Sequence, residues 1–388
     1  MEKIKVLATG TNLRERSREI FLNAPEGMEF KTLQDLGDMP PDYEISKNSK
    51  KTNGALRSFA RFLIKKLNIP NIRYLPKKYL KDFDFVYTPA QMLLNKKPYV
   101  IEVENVAALG FYNLKTIYKR RELIKRFLKS SWCKFLISFS EAGRLSVVNT
   151  FKDDEITAKM RVIYPYVKIN TYPKKPSDKI VILSSNTKFF MKGTREILLA
   201  YEELRKKYNN LELWIISNTP AEYLEKYRDF FDIKFFPAKF TKDDLYRDFY
   251  SQCDIFVQPS YQDTLGITYL EVAASGKPII STDIMGLPEV VVDGYNGFLI
   301  KAPFYMHNSD FTLKSEYFPM PVIDTENDFY KKVDGRKVAI DLIEKISILI
   351  ENNDLRKKMG EHSLELIKTK FSEKKRKQQL LEVFQKLT

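Results

Sequence analysis

The chain has 388 residues, 44% hydrophobic and 13% aromatic, enough for two domains with cores of their own, which excludes a disordered chain or a small disulfide-stapled module. Its 65 basic and 50 acidic side chains give a net charge of +15, and the excess is local: residues 51–150 carry 20 basic against 6 acidic side chains, residues 151–388 carry 37 against 35. Two cysteines, Cys133 and Cys253, and two histidines, His307 and His362, argue against a disulfide framework, a thiolate zinc site or a histidine-rich metal centre.

The opening run Met1-Glu-Lys-Ile-Lys-Val-Leu-Ala-Thr9 enters a strand pattern at once, and no stretch of about 18 residues lacks a charge. Neither a cleavable signal peptide nor a membrane span is expected, and two core thiols fit a reducing, cytoplasmic setting. Short Val/Ile/Phe-rich runs then alternate with helical patterns, the signature of βαβ units and parallel sheets. Strands are predicted at 4–9, 83–88, 98–104, 135–140 and 160–164, with helices near 13–22, 56–67, 111–128 and 141–150.

A polar, aperiodic stretch with two prolines, 166–178, reads as an interdomain linker. The rhythm then restarts with strands at 180–185, 211–217, 233–236, 255–259 and 278–282 and helices at 194–207, 242–251 and 267–274. Residues 302–334 interrupt it, rich in Phe, Tyr, Pro, Asn and Asp, and read equally as a functional loop, a family-specific insertion or a surface excursion. Helices near 338–352, 354–370 and 372–387 end the chain. Two αβ domains, 1–165 and 179–370, are thus expected to face each other across a central cleft, with ligands outside the carboxyl ends of the strands.

The most informative segment runs from Val257-Gln-Pro-Ser-Tyr-Gln-Asp-Thr-Leu-Gly-Ile-Thr-Tyr-Leu to Glu271 and on through Val-Ala-Ala-Ser-Gly-Lys-Pro-Ile-Ile280. A strand ends, a loop holds Asp263 and Gly266, and a helix begins. The backbone N–H groups of Gly266, Ile267 and Thr268 are left without helical partners there and suit a phosphate. Asp263 and Glu271 lie about two helical turns apart, so their carboxylates can share a face and accept from different hydroxyls of one ligand. Read singly, Asp263 is equally a helix N-cap, Glu271 a solvated helix residue and Gly276 a C-cap.

Together with Asp283-Ile-Met-Gly-Leu-Pro-Glu-Val-Val291 and Asp293-Gly-Tyr-Asn-Gly-Phe-Leu299, the pattern Pro-Ser-x-x-acid-x7-Glu-x4-Gly-x-Pro-Ile-Ile resembles the donor-binding domain of glycosyltransferase family 4. The resemblance is strong over 179–300 and weaker over 1–165. It implies an α/β GT-B fold, two Rossmann-like αβ domains facing a cleft, with the last helix, 371–388, crossing back to the N-terminal domain. It also implies retaining transfer from a nucleotide diphosphate sugar as substrate, with no cofactor and no metal in the catalytic step.

Two positions depart from the family pattern. Asp263 stands where the family has Glu, and Thr187 stands where its phosphate-binding Arg would be, in Asn186-Thr-Lys-Phe-Phe-Met-Lys-Gly193. Lys192 matches the family lysine, and Lys188 is the nearest substitute cation, without a guanidinium's bidentate grip. The resemblance implies that Lys192 stabilises the leaving phosphate, Glu271 holds the ribose and Asp263 contacts the transferred sugar.

In the first domain, Thr9-Gly10-Thr11 closes the first strand, where the resemblance places the sugar; an ordinary turn is the alternative. Glu102 and Glu104 share a strand face, and a carboxylate there is a candidate acceptor ligand or base; no His precedes residue 307 to fill the position the resemblance implies, and Glu104 is the candidate to replace it. The +14 stretch holds a basic run at 115–129 with Arg120, Arg121, Lys125 and Arg126, suited to an anionic membrane surface or a phosphate-bearing, lipid-linked or anionic glycan acceptor. Solvated outer helix faces are the plain alternative. No nucleic acid is expected, since no binding motif is present. The expected function is a glycosyltransferase, cytoplasmic or peripheral on the inner membrane face; the alternative is a non-catalytic GT-B binding or partner subunit.

Overall fold

Val6, Leu7 and Ala8 are fully buried, as a central parallel strand requires, and strand β1 (Ile4–Ala8) lies inside a six-stranded sheet. The computed structural model describes residues 3–9, 24–33, 35–36, 66–317 and 328–387. Two units emerge: one draws on Met1–Pro165, Met306–Ile323 and Lys374–Thr388, the other on Tyr166–Tyr305 and Asp324–Glu373.

In the first unit, β1 is joined by β2 (Met28–Thr32), β4 (Phe85–Pro89), β6 (Tyr99–Val103), β7 (Cys133–Ser138) and β8 (Met160–Val162) in the order β2-β1-β4-β6-β7-β8. All pairings are parallel. A separate two-stranded sheet pairs β3 (Ile72–Arg73) with β5 (Met92–Leu93). One sheet face packs Leu7, Val86, Ile101 and Leu136 beneath the helices. The other buries Val6, Phe85, Tyr87 and Ile137 against Leu380, Val383 and Phe384 of the Glu373–Gln385 helix. Phe384 alone meets Phe30, Phe85 and Tyr87, and burying such a side chain contributes about 2–3 kcal/mol.

The helix expected over 111–128 is two helices, Leu114–Lys119 and Arg121–Lys129. Phe111 and Tyr112 adopt left-handed backbone, which delays the first, and Arg120 leaves helical geometry between them. The segment 306–317 packs in this unit: Tyr118 donates to the Leu313 carbonyl at 2.9 Å and Asn149 to the Asp310 carbonyl at 2.7 Å. The helix expected near 13–22 and nearly all of that at 56–67 lie outside the described residues.

The second unit repeats the scheme with β9 (Ile180–Ser185), β10 (Leu211–Ile216), β11 (Ile233–Phe236), β12 (Ile255–Gln258), β13 (Ile279–Thr282) and β14 (Gly297–Ile300), all parallel, in the order β11-β10-β9-β12-β13-β14. The polar stretch 166–178 holds no helix or strand, yet it is bonded to this unit, with the Tyr172 N–H donating to Ser251 Oγ at 3.0 Å and the Lys175 N–H to Gln252 Oε1 at 2.9 Å. The helix expected at 242–251 is a short α-turn, Lys242–Asp244, continued by a π-helical turn, Leu245–Tyr250.

Candidate functional site

In the second unit the strand order reverses at β9, which pairs with β10 on one side and β12 on the other. The loops leaving β9 and β12 therefore start side by side at the carboxyl ends of neighbouring strands, the position at which open parallel sheets bind ligands. The motif residues occupy these two loops.

After β9, Asn186 organises the turn. Its Oδ1 accepts from the Lys188 N–H at 3.1 Å and the Ser217 hydroxyl at 2.9 Å, and its Nδ2 donates to Thr194 Oγ1 at 3.0 Å. The Lys192 N–H then donates to the Lys188 carbonyl, which puts both lysines on one turn. Gly193 has φ +69° and starts the Thr194–Lys207 helix; a β-carbon there would collide with the Pro259 carbonyl, so only glycine lets the two loops touch. Thr187 is exposed, and its carbonyl accepts from Asn218 Nδ2 at 3.0 Å.

That contact delivers Lys192 to the other loop. Its Nζ donates to Asp263 Oδ2 at 2.6 Å and to the Gln262 carbonyl at 2.9 Å, with side chains 15% and 19% exposed for Lys192 and Asp263. The other oxygen of Asp263 accepts from the Thr264 N–H at 3.0 Å. Asp263 is not the N-cap of the next helix: Gly266, at φ +81°, occupies that position, and no side chain caps the first turn of Ile267–Ala273. Ile267 and Thr268 open that helix. Glu271 is not solvated; it is 8% exposed, with its carboxylate 3.4 Å from Lys242 Nζ.

Behind the loops lies a charged pair that the sequence did not single out. Glu196 is fully buried, Arg195 Nε donates to its Oε1 at 2.7 Å, and burial pushes the carboxyl up while Arg195 opposes the shift. Arg195 also donates to the carbonyls of Lys331 at 2.7 Å and Val333 at 2.5 Å, and Tyr330 donates to Gln262 Oε1 at 2.5 Å. Thr194-Arg-Glu196 looks like any first helical turn, so residue type alone carried no signal for it.

In the first unit the order reverses at β1, between β2 and β4. Arg73 Nη1 donates there to the Thr9 carbonyl at 2.7 Å and to Gln91 Oε1 at 3.0 Å. Neither Arg73 nor Gln91 carried a sequence motif, and Gly10 lies outside the described residues. Glu104, just past β6, accepts from the Tyr112 hydroxyl at 3.0 Å and is half-buried. Its strand-mate Glu102 is instead in the core, accepting from the Tyr87 hydroxyl with the Arg376 guanidinium 3.8 Å away, which makes it a structural carboxylate.

Residues 168–308 match the family described as glycosyl transferases group 1. The chain resembles these enzymes, and its fold is GT-B. It is 24% identical to an uncharacterized glycosyltransferase of Methanocaldococcus jannaschii, over 96% of this chain and 91% of that one. It is 23% identical to the N,N'-diacetylbacillosaminyl-diphospho-undecaprenol alpha-1,3-N-acetylgalactosaminyltransferase of Campylobacter jejuni, over 90% and 87%. Among solved structures, Anabaena HepE in complex with UDP superposes with a TM-score of 0.63 at 14% identity, covering 99% of this chain and 100% of that one. A glycosyltransferase from Rickettsia africae superposes with 0.62 at 17%, covering 100% and 99%.

In this GT-B chain the basic helices divide their charges. Arg120 donates to the carbonyls of Leu67 at 3.0 Å and Asn68 at 3.3 Å, Arg121 to that of Phe151 at 3.0 Å, and Lys125 pairs with Asp153 at 3.1 Å. Arg126 is exposed beside Glu122, Lys129 and Ser130. Among the described residues, no group of three or more His, Cys, Asp or Glu is placed to hold a metal, and no helix is long and apolar enough to cross a membrane. Cys133 and Cys253 are buried, and burial pushes both thiols up to about 12, which suits packing and not nucleophilic work.

Proposed function

We propose that this glycosyltransferase retains configuration and moves a sugar from a nucleotide diphosphate sugar to a lipid-linked or anionic glycan acceptor at the cytoplasmic membrane face. The observation that carries the donor side is the meeting of Lys192 and Asp263 at the switch point of the second sheet. A carboxylate next to an ammonium, both partly buried, provides an acceptor for sugar hydroxyls and a cation for the diphosphate, side by side.

In the step proposed, the bond from the anomeric carbon to the phosphate oxygen breaks while the acceptor oxygen bonds the same face of that carbon. The acceptor's proton passes to the departing phosphate. Lys192, Lys188 and the first-turn N–H groups of Gly266, Ile267 and Thr268 offset the charge growing on that phosphate, and no metal takes part in the step. Asp263 accepts from the transferred sugar and Glu271 from the ribose hydroxyls. Glu104, held by Tyr112, serves the acceptor as a hydrogen-bond ligand or, in place of the phosphate, as the base that takes its proton. The acceptor class rests on the excess charge of residues 51–150 and on the diphospho-undecaprenol in the name of the Campylobacter relative.

A thermal-shift panel of nucleoside diphosphates and their sugars at millimolar concentration tests this. A ligand at about 100 times its Kd adds roughly 2.7 kcal/mol and raises the melting temperature by several degrees. No shift with any donor would overturn the donor reading. Binding without hydrolysis or transfer would favour the non-catalytic alternative, to which the substitutions at Thr187 and Asp263 point.

A further inference from the structure

Lys192 has a four-carbon stem whose rotamer freedom is worth about 2 kcal/mol, so an ammonium presented in one place needs its surroundings fixed. Phe304 and residues 329–333, the two ends of the interruption, supply that fixing. Phe304 packs its ring against Tyr261, Phe329 and Tyr330, with centroids 5.8, 5.1 and 6.4 Å away. Tyr330, anchored there and buried, donates its hydroxyl to the side chain of Gln262, the residue whose main-chain carbonyl accepts from Lys192 Nζ at 2.9 Å.

One and three residues further on, the carbonyls of Lys331 and Val333 accept from Arg195, which stands three positions after Lys192. The contacts close into a ring: Lys192, Gln262, Tyr330, the 331–333 backbone, Arg195 and back to Lys192. Glu196 balances the Arg195 charge inside the ring, and Gly335 is the residue that lets Glu196 in, since a β-carbon there would collide with the carboxylate. The segment 330–333 thus ties the loop after β9 to the loop after β12 from behind.

We infer that Tyr330 and Arg195 are positioning residues, which through the 330–333 segment hold the two donor loops so that Lys192 faces the diphosphate of the donor. The inference rests on the assignment of Lys192 to that diphosphate. Phe304 and the 329–333 end of the interruption thereby have a task that reading the sequence left open.

The test uses the full-length chain and titration calorimetry with the nucleoside diphosphate that shifts the wild type most, alongside its parent nucleoside. Tyr330→Phe keeps the ring packing and removes only the hydroxyl. The expected result is affinity for the diphosphate about three- to tenfold lower, with nucleoside affinity and melting temperature unchanged. Arg195→Lys keeps a cation beside Glu196 but cannot span both carbonyls, and should give the same selective loss; should it not fold, Tyr330→Phe decides alone. Unchanged diphosphate affinity in Tyr330→Phe, or an equal loss for the nucleoside, would overturn the inference. Lys192→Ala separates the two readings. Diphosphate affinity intact in Lys192→Ala sinks the donor assignment, whereas a loss there with none in Tyr330→Phe sinks the positioning role alone.

Discussion

Lys192 and Asp263 are 71 positions apart in sequence and 2.6 Å apart in the fold. Each stands on a loop at the carboxyl end of a strand, β9 or β12, and those strands are neighbours in the sheet. The pair exists because Gly193 has no β-carbon to hold the loops apart. The two charges pair with one another here, so under the proposed donor reading a diphosphate and a sugar hydroxyl would meet an ammonium and a carboxylate already held side by side.

Removing the cation tests this most directly. Lys192→Ala is expected to lower kcat/KM by about 10²- to 10³-fold, the size seen when one preorganised donor to a developing anion is lost. Its melting temperature should fall by only a few degrees, because the remaining Asp263 is still bonded to the Thr264 N–H. A steady-state assay of donor hydrolysis or transfer, with a thermal scan of the same samples, checks both parts. Turnover within threefold of the wild type would remove Lys192 from the chemistry.

How much of this was legible depended on where each signal lay. Strands β9 and β11 and the Thr194–Lys207 helix were read with the bounds they have, since apolar runs there end at polar, Gly or Pro positions. Strand β2, Met28-Glu-Phe-Lys-Thr32, escaped notice because only two of its five side chains are apolar. The break at Arg120 was invisible too; its side chain reaches the carbonyls of Leu67 and Asn68, some fifty residues earlier, a contact no local pattern announces. The motif residues of the candidate site stood out in the sequence because Asp263, Gly266 and Glu271 sit in one short window. Arg195, Glu196 and Tyr330 were not, since ordinary residue types reveal their role only through contacts up to 138 positions away.

The proposed ribose contact of Glu271 can be checked independently. Glu271→Ala should abolish transfer and donor hydrolysis while the chain stays folded, and should weaken the nucleoside itself at least about tenfold, since two hydroxyls lose a charged acceptor. Because Lys242 loses its 3.4 Å partner in that variant, Lys242→Met is the control for an effect of the ion pair alone. Near-normal turnover in Glu271→Ala, or an equal loss in Lys242→Met, would place Glu271 outside the ribose site.

The Glu373–Gln385 helix is fastened to the first unit by a charge as well as by Phe384. Arg376 is 3% exposed, donates to the carbonyls of Ile163 at 3.1 Å and Tyr164 at 2.8 Å, and lies 3.8 Å from Glu102. Arg376→Met leaves Glu102 buried without its counter-charge and is expected to cost about 3–5 kcal/mol. Adding Glu102→Gln should restore at least about 1 kcal/mol, a coupling readable from urea midpoints of the two single variants and the double. Strict additivity would show that the two groups act separately.

The last prediction concerns acid. His307 Nε2 is buried without a hydrogen-bond partner, and burial alone pushes the ring's pKa down to about 4 from an ordinary 6.5. The fold therefore favours the neutral ring. Above pH 6.5 both folded and unfolded chains hold it neutral and nothing is lost. Between pH 6.5 and 4 the unfolded chain takes up a proton that the folded chain refuses, so stability falls as pH falls, at up to about 1.4 kcal/mol per pH unit. By pH 5 the loss should reach roughly 2 kcal/mol. His307→Leu cannot take up that proton, and every other titrating group is common to both proteins. The difference in urea-unfolding free energy between variant and wild type should thus shift in the variant's favour by that amount between pH 7 and pH 5. A constant difference across that range would mean that the His307 ring reaches solvent or a partner when it charges.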